Sequence, residues 1–142
     1  MYSLQNDKLK ISVQNTGAEL CEISSVKHNT QFMWDANPEI WDSFAPNLFP
    51  IIGGLKNDSY VFDGKQYTLP KHGLIRNSKA ITLTKQTENS LIFSFNYNKN
   101  LLKHYPFKFE FELKFTLIAN TIEVSHTVKN VDTKPMYFSV GG

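Results

Sequence analysis

A histidine, a glycine and the only arginine of the chain lie close together in Leu69-Pro70-Lys71-His72-Gly73-Leu74-Ile75-Arg76. Histidine changes charge near neutral pH, so His72 can donate, accept or carry a proton. Gly73 lacks a Cβ and lets the backbone approach a ligand closely. The planar fork of Arg76 suits an anionic or hydroxyl-rich partner. Together these types allow proton transfer to or from a polar substrate. On spacing alone, a loop histidine beside a glycine is more often an ordinary turn residue than a catalyst.

The other reactive side chains read as structural. His126 shares a face with Ile122, Val124 and Val128, the setting of a satisfied core residue. His28 and His104 follow Lys27 and Lys103 and read as solvated. The four histidines show no metal-ligand spacing, so no metal is expected. Cys21 is alone, so it cannot form an intrachain disulfide, and no basic cluster near it would activate the thiol. Trp34 and Trp41 flank an irregular stretch and are expected to pack beneath it.

The elements that must position these residues are strands. Phe107, Phe109, Phe111, Leu113, Phe115 and Leu117 alternate with Lys108, Glu110, Glu112, Lys114 and Thr116, giving one apolar and one polar face. After Ala119-Asn120, the alternation of Ile122, Val124, His126 and Val128 predicts the returning arm of a hairpin. Ile81–Thr84 and Leu91–Tyr97 predict another pair around Glu88-Asn89-Ser90. Asp63-Gly64 between Tyr60-Val61-Phe62 and Gln66–Leu69 is a strong hairpin signal. Leu9–Val13 and Ala18–Val26 form a further pair, and Met136–Val140 reads as a last strand before Gly141-Gly142. No helix of ten or more residues is predicted, so the expected class is all-β, a sandwich or barrel. Residues 35–58 break the rhythm with three prolines and the Gly53-Gly54 pair, as functional loops often do.

Composition supports a globular chain. Hydrophobic residues make up 41% and charged residues 20%, and the eleven phenylalanines favour strands. A net charge of +2 gives no reason to expect a nucleic-acid or membrane partner. The N-terminus has no apolar h-region, so the cytoplasm is the expected compartment.

Several runs, in this order, resemble the aldose 1-epimerase (mutarotase) family, in particular its LacX-like bacterial branch. They are Gly17-Ala18-Glu19-Leu20, Ala45-Pro46-Asn47-Leu48-Phe49-Pro50-Ile51-Ile52-Gly53, Leu55-Lys56-Asn57-Asp58-Ser59-Tyr60, Gly64–Gly73, Tyr105-Pro106-Phe107, Val128-Lys129-Asn130 and Pro135–Gly142. The resemblance implies a galactose mutarotase-like antiparallel β-sandwich of about twice this length, of which residues 1–142 are the N-terminal part and a truncated half. It implies a hexose or hexose phosphate as the small-molecule partner, anomers exchanged by acid–base ring opening and closure, and no cofactor. By position, His72 matches the first active-site histidine, which bonds the sugar near its ring oxygen. Asn47, Lys56 and Arg76 are the implied substrate-binding residues. The second histidine of the family would follow Gly142 and its glutamate base lies later still, so this piece is expected to be inactive alone. Gly54 stands where the family commonly has a substrate-contacting arginine. A carbohydrate-binding sandwich without catalysis and a hexose-6-phosphate 1-epimerase are the alternatives. Unpaired strand edges in a half-sandwich predict a homo-oligomer.

Overall fold

The computed structural model describes residues 1–142 as nine strands joined by turns and three single 3-10 turns, with no α-helix. The chain is all-β, as the alternation predicts. β1 (Tyr2–Gln5), β2 (Leu9–Val13) and β3 (Leu20–Ser25) form one antiparallel sheet in that order. β4 (Ser59–Phe62) and β5 (Lys65–Thr68) form a separate hairpin. β6 (Thr82–Gln86), β7 (Ser90–Asn96), β8 (Phe109–Ile118) and β9 (Thr121–Asn130) form a four-stranded meander.

The two larger sheets pack face to face. Phe109, Phe111, Leu113, Phe115 and Leu117 of β8 are buried, and the residues between them are exposed or half-buried. They join Leu91, Phe93 and Phe95 of β7 and Leu4, Ile11, Val13 and Leu20 of the first sheet in one core. Tyr2 meets Phe93 edge-on across the layers at 5.5 Å. Burial of so many aromatic faces is the dominant force holding the layers together. In β9 the register Leu117↔Ile122, Phe115↔Val124, Leu113↔His126 and Phe111↔Val128 puts the expected residues on one face. That face is only partly covered, with Val124 44% exposed.

The Asp63-Gly64 hairpin forms as predicted, with φ of 50° and 71° at the two residues. Positive φ at both central residues is what a two-residue turn of this hand demands. Four details differ from expectation. The long strand begins at Phe109 rather than Phe107, because Phe107 N–H turns back to the Tyr105 carbonyl at 2.9 Å. β1 has only four residues, too short for periodicity to reveal. Met136–Val140 is extended but joins no ladder. It lies against the irregular segment instead, where Ser139 N–H donates to Pro50 O at 2.8 Å and Leu48 and Gly141 exchange both backbone bonds. Trp34 and Trp41 are 39% and 44% exposed, so they stand at the surface rather than beneath the loop.

Candidate active site

Residues 45–53 form the beam on which the site is built. Phe49 is fully buried among the rings of Tyr105, Phe109, Phe111 and Phe138, which fixes its backbone. The Phe49 carbonyl accepts from Leu74 N–H at 2.7 Å, and Phe49 pairs with Gly73 in a parallel bridge. Approach this close needs a glycine: a Cβ on Gly73 would lie 2.4 Å from the Phe49 oxygen.

His72 precedes that contact with φ of 69°, a left-handed conformation unusual for a residue with a side chain. Two hydrogen bonds hold it there. His72 N–H donates to Gly53 O at 2.8 Å, and Gly53 N–H donates to His72 Nδ1 at 3.1 Å. Because Nδ1 accepts, the neutral ring carries its proton on Nε2, which has no protein partner and is free to donate. Partial desolvation, then the positive charges of Arg76 and Lys71, hold the imidazole below the usual histidine range. The ring is therefore neutral at neutral pH.

The remaining expected residues lie elsewhere. Asn47 is buried, its amide donating to the Gly17 and Ala18 carbonyls at 2.9 and 3.0 Å. Its Oδ1 meets His126 Nε2 at 3.1 Å. His126 is thus satisfied, as its apolar face predicts, but half-buried rather than part of the core, and burial lowers its pKa. Lys56 is exposed on the 3-10 turn Lys56–Asp58, and its ammonium forms no ion pair. Arg76 donates from Nη2 to Ser43 Oγ at 3.0 Å, in a polar cleft of about 340 Å³ shared with Gln14, Glu19, Asp42 and Asn77. These cleft partners carry no local signal, since Ser43 and Arg76 lie far apart in sequence. Cys21 is half-buried, donates to the Ser12 carbonyl at 3.3 Å, and is pushed up in pKa first by burial and then by Glu19 and Glu22.

An apolar groove of about 480 Å³ lies between the β4–β5 hairpin and residues 137–139. Its ionisable groups are phenols, and burial pushes Tyr60 up to about 12 and raises Tyr105 as well. It offers no acid or base near neutral pH. The His72 loop is the better site for chemistry.

The aldose 1-epimerase family model matches residues 1–142. The chain is 33% identical to the chromosomal LacX protein of Lactococcus lactis subsp. lactis, over 97% of this chain and 48% of that protein. Among solved structures it is similar to a galactose mutarotase related enzyme from Lactobacillus acidophilus, with TM-score 0.93 and 40% identity, covering 98% of this chain and 46% of the other. A galactose mutarotase-like protein from Lactobacillus casei superposes with TM-score 0.92 at 28% identity, covering 99% and 47%. The chain spans about half the length of the curated relatives it matches.

Proposed function

The chain belongs to the aldose 1-epimerase family, and from that premise we propose that the His72 loop binds the pyranose ring of a hexose for exchange of its α- and β-anomers. The observation that carries this reading is the Gly53 N–H bond to His72 Nδ1, which leaves Nε2–H as a neutral donor with no protein partner. Ring opening requires a base to take the anomeric hydroxyl proton while an acid supplies one to the ring oxygen. A donor held at the ring oxygen stabilises the charge that develops there without being consumed.

His72 has no carboxylate or second imidazole bonded to it; Gly53 is its hydrogen-bond partner. On this reading the 142 residues supply sugar recognition, and His72 alone does not supply both the acid and the base of the exchange. The 142-residue chain is then expected to bind glucose or galactose and to leave the polarimetric rate of anomer exchange at the buffer value. His72→Ala is expected to weaken that binding about tenfold, the worth of one well-placed hydrogen bond. Binding should hold through neutral pH and fall only below the ordinary histidine value of 6.5, because the depressed pKa keeps the competent neutral ring to lower pH. Sugar titrations by calorimetry between pH 5 and 8 check this; affinity unchanged by His72→Ala would sink the reading.

A further inference from the structure

β9 is an open edge of the four-stranded sheet, and it differs from the other edges of the two larger sheets. β1 has only four residues, β3 is bridged at Leu20 and Ser24 by Ala45 and Gln31, and β6 is bulged between Leu83 and Lys85. Short, covered and bulged edges resist further pairing. β9 has none of these protections: it runs ten residues, Thr121–Asn130, in unbroken register with β8.

Its backbone is turned for pairing. In an antiparallel ladder, alternate residues bond to the neighbouring strand and the residues between them face away. Ile118↔Thr121 closes the two-residue turn and Val131 N–H donates to Lys108 O, so the odd-numbered residues of β9 face β8. Ile122, Val124, His126 and Val128 therefore present their backbone N–H and C=O groups outward, and none of these groups bonds to another part of the chain. Glu123, Val124, Ser125, Thr127 and Lys129 are exposed.

The strand is also complementary to its own reverse. Laid antiparallel against a second copy about a two-fold axis at His126, it sets Val124 opposite Val128, Ser125 opposite Thr127 and Glu123 opposite Lys129. Residues directly opposite share a face. The valines then meet on the partly covered side, where Val124 is 44% exposed, and the opposite charges meet on the wet side. Glu123 has no ion-pair partner within its own chain, and Lys129 meets only Glu110, at 3.2 Å. A slip of two residues in either direction sets Glu123 against Thr127 or Val131 and loses the match. A slip of one mismatches the outward backbone groups.

We propose that the partner of this edge is a second copy of the chain, whose β9 pairs antiparallel with this one about His126 and joins the two four-stranded sheets into one. The contact is isologous and closes at a dimer.

The test is sedimentation equilibrium of the 142-residue chain over a range of concentrations, with circular dichroism to follow the fold. The unmodified chain is expected to show a monomer–dimer equilibrium. Glu123→Lys sets like charges opposite each other at both ends of the interface and should weaken the dimer about tenfold. Adding Lys129→Glu to that variant restores opposite charges and should return the dimer to its original strength. Both positions are exposed, and surface ion pairs add little to folding, so the variants keep the fold. A monomer at every concentration overturns the proposal and leaves the edge to a partner of another kind. A dimer indifferent to Glu123→Lys, a double variant no tighter than the single one, or growth into open polymers also overturns it.

Discussion

Gly73→Ala is expected to destabilise the chain by about 3 kcal/mol or more, from left-handed strain and overpacking together. The backbone there has φ of 79°, and the added Cβ would meet Phe49 O at 2.4 Å, Phe49 C at 2.6 Å and Pro50 N at 2.8 Å. All three are backbone atoms, so no side chain can swing aside. Gly53 supplies the control, because its φ is 80° but nothing lies within 4 Å of a Cβ built on it. Gly53→Ala should therefore show only the strain of roughly 1–2 kcal/mol. Urea midpoints of the two variants separate clash from strain, and equal shifts would refute the close packing of residues 49 and 73. Since domains of this kind are stable by only about 5–15 kcal/mol, the Gly73 variant should also express poorly.

Phe49→Ala is expected to cost about 3–5 kcal/mol, the usual range for emptying a buried phenylalanine site. Its ring is fully buried and lies 5.0–6.0 Å from four aromatic neighbours, so little can relax into the void. The backbone of the same residue holds Leu74 and Gly73, so sugar affinity should fall although Phe49 itself is buried beneath the site. Phe49→Leu keeps most of the volume and should cost under about 1.5 kcal/mol. Denaturant melts paired with sugar titrations would decide the point. Similar losses for Ala and Leu would mean that the beam is not held by that ring.

What was legible in the sequence follows from range. The β8 alternation and the Asp63-Gly64 turn are written in neighbouring residues, and both appear as expected. The face of His126 was readable because Val124 and Val128 beside it set it, although that face is only partly covered and His126 stays outside the core. The Met136–Val140 segment misled, because an apolar run states that it will be covered but not by what; here the partner is the irregular 48–50 stretch. The separation of Arg76 from His72 was illegible for the same reason. Four residues apart, they turn to partners at positions 43 and 53 that no local pattern connects to them. The exposure of Trp34 and Trp41 depends likewise on the path of a loop with no periodicity, in which the Trp34 indole N–H reaches the Trp41 carbonyl at 2.9 Å.

The two hydrogen bonds that His72 and Gly53 exchange bear on the thermodynamics of recognition. Each residue restrains the other, one through its backbone and one through its ring, so neither is left to be ordered when a sugar arrives. The entropy lost in fixing the loop is met once, during folding, and is not charged again to each binding event. Affinity for a small, heavily hydrated ligand can then rest on few contacts. The corollary is that the loop's rigidity and the core's integrity are one property: whatever frees residues 49–53 lowers the fraction of molecules with His72 in its donor pose, and apparent affinity falls in proportion to that fraction.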